Sequence, residues 1–216
     1  MMRTITVKSV GSVSARPDYI TLSLGIETQE KEYDDAMQRA TERINSLEAA
    51  SQKVGFEKGD LKTTSFNVST AYESVKERSG NYKREFAGYN CSYRLKLAFG
   101  FNSKRLAEVI SAIGDSGAKP ELNIAFTVKD AAKVSEELLM SATKNAREKA
   151  EILCRASGVE LGKLQSIDYN WGELNIASRT SYEMEDCIMP MMALRECGEP
   201  DDIDLRDTAT FVWEIV

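Results

Sequence analysis

Four of the chain's eight methionines, Met184, Met189, Met191 and Met192, fall within nine residues and are flanked by Cys187 and Cys197. Thioether and thiolate sulfurs are soft donors, and such density could hold Cu(I) through Met184, Cys187, Met189, Met191, Met192 and Cys197. Pro190 and the non-repeating spacing favour a different reading, an apolar loop lying over a sheet or a neighbouring subunit, where flexible Met fills irregular gaps. On that reading Ile188, Met189, Met191, Met192 and Leu194 are the contact candidates, and no metal or cofactor is expected. Outside a reducing compartment Cys187 and Cys197 could also form a disulfide.

The other reactive residue types offer less. The 216 residues include no histidine. That excludes Ser-His-Asp and Cys-His catalysis, HExxH metallohydrolases and any His-ligated zinc or haem. Glu30, Glu32, Asp34 and Asp35 sit where a helix should begin, a place the macrodipole favours for acids. Glu199, Asp201, Asp202, Asp204 and Asp207 cluster late in the chain but lack the spacing and the glycine of an EF-hand. They suit a solvated turn before an edge strand. An enzyme working through these carboxylates would need a pocket holding two convergent acids. Neither GxGxxG nor GxxxxGK[ST] occurs, so there is no phosphate-binding glycine loop. Cys91 and Cys154 are each set among apolar neighbours and are expected in the core.

Lys and Arg number 28 against 34 Asp and Glu, a net charge of −6 that argues against a nucleic-acid partner. No run approaches the ~20 apolar residues of a membrane span. The N-terminal MMRTITVK shows no apolar stretch of the secretory kind. The expectation is therefore a cytoplasmic chain, or a periplasmic or cell-surface one if a precursor has been trimmed.

The elements that would position these residues follow from periodicity. Ile5, Val7 and Val13 alternate with a phase break at Val10-Gly11 that suggests a bulge. A turn at Arg16-Pro17-Asp18 then leads to Ile20, Leu22, Leu24 and Ile26, so the two strands read as a hairpin. Residues 31–54 change to three- and four-residue steps, an amphipathic helix closed by Gly55. Phe66 to Tyr72 and Tyr89 to Phe99 alternate again around a polar stretch, 74–84. Asn102-Ser103 caps a short helix, Leu122 to Val128 is a strand, and Asp130 opens a long helix. That helix has an apolar face of Val134, Leu138, Ala142, Ala146, Ala150 and Leu153, and Gly158 stops it. Strands near Ile167–Trp171 and Ala209–Ile215 complete the order ββαββαβαβ, a long loop, then β. This predicts an α+β fold, mainly antiparallel sheets with long amphipathic helices packed on one face. Two intertwined lobes are expected, residues 1–87 and 88–216, with the last strand (207–216) able to return to the N-terminal sheet.

These landmarks form a series. Ile5-Thr6-Val7 followed by Gly11-Ser12-Val13-Ser14-Ala15-Arg16-Pro17-Asp18 resembles the opening of the SIMPL-domain family. The same is true of Gly25-Ile26-Glu27-Thr28, Gly59-Asp60-Leu61-Lys62-Thr63, and Tyr72 with Gly88-Tyr89. Residues 142–150 and 156–163 resemble the family's most regular stretch, and the Pro-Met loop and Gly198-Glu199-Pro200 have counterparts there. The resemblance spans essentially the whole chain. It implies an α+β fold, multimeric assembly, a loose association with stress tolerance, and in bacterial members export to the periplasm or surface. It supplies no catalytic residues. The function expected is that of a non-enzymatic self-assembling or adaptor protein, a homo-oligomer with an unidentified protein partner. The alternative is a small-ligand or Cu(I) module built on residues 184–197.

Overall fold

A computed structural model describes residues 3–76, 82–169, 174–180 and 199–216. Its elements follow the anticipated order: β1 (Thr4–Ala15), β2 (Tyr19–Glu30), α1 (Tyr33–Lys53), β3 (Lys62–Lys76), β4 (Tyr82–Gly100), α2 (Ser103–Asp115), β5 (Glu121–Thr127), α3 (Ala131–Ser157), β6 (Leu161–Tyr169) and β7 (Ile203–Ile215). The strands form a three-stranded sheet, β1-β7-β6, and a four-stranded sheet, β3-β4-β2-β5, so the fold is α+β. Contacts divide the chain into two compact units, one of residues 1–18, 126–180 and 200–216, the other of residues 19–125 and 181–199. Residues 87 and 88, where the sequence suggests that one lobe gives way to the next, lie inside β4.

In the first unit β1 pairs antiparallel with β7 in unbroken register from Thr4↔Glu214 to Ala15↔Ile203. The expected β1–β2 hairpin is therefore not formed, and the turn at residues 16–18 carries the chain from one sheet into the other. The expected bulge at Val10-Gly11 is absent as well. Val7, Ser9 and Gly11 share the buried face, and Val10 simply points to solvent. Ser9 and Gly11 are small because α3 crosses there. A Cβ added to Gly11 would collide with the Leu138 carbonyl oxygen and lie 2.9 Å from the Ala142 nitrogen. Small residues are thus the condition for close helix–sheet packing. Val134, Leu138, Ala142, Ala146, Ala150 and Cys154 recur at four-residue steps as the buried ridge of α3. Cys154, not Leu153, completes that ridge, and Leu153 is half exposed. The ridge packs on Val7, Ala209, Phe211 and Trp213 at one end and on Ile203 and Leu205 at the other. Asp130 caps α3 by accepting a bond from the Lys133 N–H at 3.0 Å, and left-handed Gly158 (φ 72°) closes it.

In the second unit Ile20, Leu22, Leu24 and Ile26 of β2 lie beside Cys91, Leu95, Leu97 and Phe99 of β4, all buried. Helix α1 covers this face with Ala36, Ala40, Leu47 and Ala50, and α2 contributes Leu106, Val109 and Ile113. Asn102 caps α2 through the Arg105 N–H at 3.0 Å. Arg43 of α1 donates to three backbone carbonyls, Glu27 at 2.6 Å, Ala118 at 2.7 Å and Lys119 at 2.9 Å. One guanidinium thereby ties the helix to β2 and to the turn before β5, because its fork presents several donors at fixed angles.

Candidate functional site

Every residue of the proposed Met-rich contact or Cu(I) set, Met184, Cys187, Ile188, Met189, Met191, Met192, Leu194 and Cys197, lies outside the described residues. Among the described residues no group of three or more Cys, Asp or Glu converges to hold a metal. Asp201, Asp202 and Asp204 line a cavity of about 500 Å³ with Ser14, Asn175 and Arg179. The Thr180 hydroxyl accepts from the Asp201 N–H at 3.0 Å, and Ser178 Oγ donates to the Asp201 carbonyl at 2.7 Å. The acids lead into β7, but β7 is the central strand of its sheet, not an edge. Asp207 accepts a 2.7 Å bond from the Tyr169 hydroxyl. That bond, with some burial, holds the Tyr169 hydroxyl above its ordinary pKa. Cys91 is fully buried beside Met37, and burial pushes its thiol up, opposed by Thr28. A thiol raised in this way is a packing residue and not a nucleophile.

The feature that stands apart is the β3–β4 hairpin. Strand β3 is the first strand of the four-stranded sheet, and all of its residues except Val68 and Ala71 are exposed. The sheet's helix-bearing face extends past the start of α1 and ends in aromatic side chains. Phe66 packs on Tyr93 with centroids 4.5 Å apart. A second series runs Tyr72–Phe86–Tyr89–Tyr33 at 6.0, 5.3 and 5.7 Å, each pair edge to face. Arg84 lies 5.2 Å over the Tyr72 ring. Despite these contacts Phe66 is 48% exposed, and Tyr72 and Phe86 are each 51% exposed.

The hairpin reaches this position because β2 ends early. Strand β2 pairs with β4 only as far as Glu30↔Tyr89. Gly88 (φ 134°) lets β4 pass the Glu30 carbonyl, with which any side chain there would collide. Beyond it a bulge at Ala87 resets the register, and residues 72–76 pair with 82–86 as a two-stranded ribbon. Ribbons of two strands are marginal in water on their own.

Among the described residues, parts of the other sheet edges are covered. The edge of β1 is occupied by α3: Ser141 Oγ accepts from the Ser12 N–H at 3.2 Å and donates to the Ser12 carbonyl at 3.1 Å, and Asn145 donates to Val10 at 3.1 Å. At β5, Ser178 N–H donates to the Phe126 carbonyl at 2.8 Å and Thr127 bridges Ala177. Strand β6, the other edge of the three-stranded sheet, pairs with β7 through two register shifts, as β3 does with β4. No described residue outside β4 hydrogen-bonds to β3. Sequence alternation did place Phe66, Val68, Thr70 and Tyr72 on one face. Only the strand order shows that this face lies at an edge without a partner strand among the described residues.

A family model described as a protein of unknown function, DUF541, matches residues 5–213. No curated protein matches significantly. Among solved structures, an uncharacterized conserved protein from Listeria innocua shares 7% identity over 96% of this chain and 92% of its own, with a TM-score of 0.22. A structure described as a hydrolase from Listeria innocua shares 8% identity over 95% and 92%, with a TM-score of 0.20. Likenesses this faint attribute no activity to this protein. The family match, by contrast, covers nearly every element from β1 to β7, and on it the chain belongs to the SIMPL family.

Proposed function

We propose that this protein is a non-enzymatic assembly or adaptor protein that works by self-association. The observation that carries this reading is the edge of β3, which has no partner strand among the described residues, beside half-exposed Phe66, Tyr72 and Phe86. A long strand edge with aromatic neighbours is a template for pairing with another chain. Aromatic side chains are also the type most enriched where interfaces hold together. The Met-rich segment, with Ile188, Met189, Met191, Met192 and Leu194, is a second contact in this proposal, since flexible thioethers adapt to an irregular partner surface.

Light scattering across micromolar concentrations tests the reading. A mass above that of one chain is expected, reduced by Phe66→Ser with Tyr72→Ser while the circular dichroism stays unchanged. A strict monomer at every concentration overturns it. Met191→Ser with Met192→Ser should also lower the mass, and an unchanged mass removes the loop from the interface.

A further inference from the structure

We infer that the occupant of the β3 edge is a second copy of this chain, paired antiparallel and centred on Ser69. This inference rests on the self-association reading and specifies its register.

Strand β3 carries no charge from Thr63 through Tyr72, ten consecutive residues, and contains no proline. Inward charges and proline are the usual means of keeping an edge unpaired. The strand is also close to symmetric about its middle. In a two-fold pairing centred on Ser69, Phe66 stands across from the partner's Tyr72, and Val68 across from the partner's Thr70. Both pairs fall on the helix-bearing face, where Phe66 already meets Tyr93 and Tyr72 meets Phe86. Each copy supplies the aromatic pair once, so two such pairs form. Cross-strand aromatic pairs are among the stronger units of sheet stabilisation. Moving the centre by one residue to Val68 or Thr70 sets Phe66 against Thr70 or Ser74 instead.

Charge selects the antiparallel direction. On the opposite face one end of β3 carries Lys62, paired in register with Lys96, next to Ser65 beside Arg94. The other end carries Glu73, in register with Glu85, which Lys83 approaches to 3.8 Å. The extra residue Thr64 shifts Lys62 by one position, and its hydroxyl bonds the Arg94 carbonyl at 3.1 Å. That shift sets Lys62 diagonal to the partner's Glu73 on the same face. On this face antiparallel pairing thus brings Lys62 of each strand near the partner's Glu73, whereas parallel pairing in register would set Lys62 against Lys62 and Glu73 against Glu73. The exposed halves of Phe66 and Tyr72 in two copies offer on the order of 400 Å² of aromatic surface. The strand edges and flanking ribbons extend this toward the ~1,200 Å² at which stable interfaces begin.

Disulfide trapping reads the register directly, in full-length chain carrying Cys187→Ser and Cys197→Ser. Opposed residues in an antiparallel pair have Cα atoms roughly 4.5–5.5 Å apart, within disulfide reach. Ser69→Cys should give a reducible dimer under mild oxidation. Asn67→Cys alone should not, its two copies being about 14 Å apart at this register. A mixture of the Asn67→Cys and Ala71→Cys chains should cross-link. If light scattering shows an oligomer but Asn67→Cys links as well as Ser69→Cys, or the mixture fails to link, this register is overturned and self-association stands. If the unmodified chain is a strict monomer, both fall, and an extended peptide from a different protein becomes the occupant to seek.

Discussion

Gly11 on β1 and Leu138 on α3 meet so closely that the Leu138 carbonyl oxygen occupies the space a side chain on residue 11 would need. The helix axis is set by this approach, since Ala142 lies in the same contact. Gly11→Ala should therefore destabilise the protein by about 1–3 kcal/mol, the usual range for overpacking. Val10→Ala, one residue away on the solvent side, should change stability by less than about 0.5 kcal/mol. Urea unfolding of the two variants checks the contrast, and equal midpoints would contradict the packing described.

Arg43 makes the second test. Arg43→Ala removes three charge-assisted bonds to the carbonyls of Glu27, Ala118 and Lys119. A loss of about 2–3 kcal/mol is expected. Arg43→Lys should recover only part of it, because an ammonium cannot span three acceptors in the plane of a guanidinium fork. Amide exchange should locate the loosening at the turn around Ala118 and Lys119.

Tyr169 predicts a pH dependence. Its hydroxyl is held above the ordinary value by donation to Asp207. The folded state therefore retains the proton more tightly than the unfolded state does. Its contribution is fully present below the unfolded tyrosine pKa of about 10 and is lost as pH rises through the raised folded value. Tyr169→Phe should lower the melting temperature near neutral pH and flatten the decline that sets in as pH rises past the unfolded tyrosine value of about 10. An unaltered alkaline slope would show that the bond does not operate in solution.

Gly88 predicts a change confined to the hairpin. Gly88→Ala must move either β4 or the Glu30 carbonyl, and φ of 134° is unfavourable to any other residue. Faster amide exchange in the ribbon of residues 72–76 and 82–86 is expected, with the β2–β4 ladder below it still protected. Uniform loss of protection across the second unit would mean that the ribbon is not a separate local element.

Periodicity carried most of the element order because most strands and all three described helices bury one face, and burial is what alternation records. The order of strands and helices in ββαββαβαβ…β is therefore present in the structure element by element among the described residues. Neighbour identity is another matter. Alternation says which face of β1 is covered but not which strand lies beside it, so the short turn at residues 16–18 suggested a hairpin where the chain changes sheets. Ser9 and Gly11 imitated a broken phase because they are small for the sake of α3, not because the strand bulges. At the C-terminal end of α3, Leu153 and Cys154 compete for one position, and helix geometry selects the less apolar of the two. The hairpin site was half visible. Its aromatic pattern is in the sequence, but its bareness among the described residues follows from the strand order β3-β4-β2-β5, which alternation does not record.

The pairing of the first strand with the last has a consequence for biogenesis. Residues 19–125, which hold all of the second sheet but the end of β5, leave the ribosome as one continuous stretch. Strand β1 emerges before them, yet its only strand neighbour among the described residues, β7, begins at Ile203. Until β7 emerges, β1 waits without that partner while the second sheet assembles, a long-range closure of the kind that slows folding. A chain released short of β7 would lose the strand that stands between β1 and β6. Emergence of β7 is therefore the event that joins the first unit's sheet.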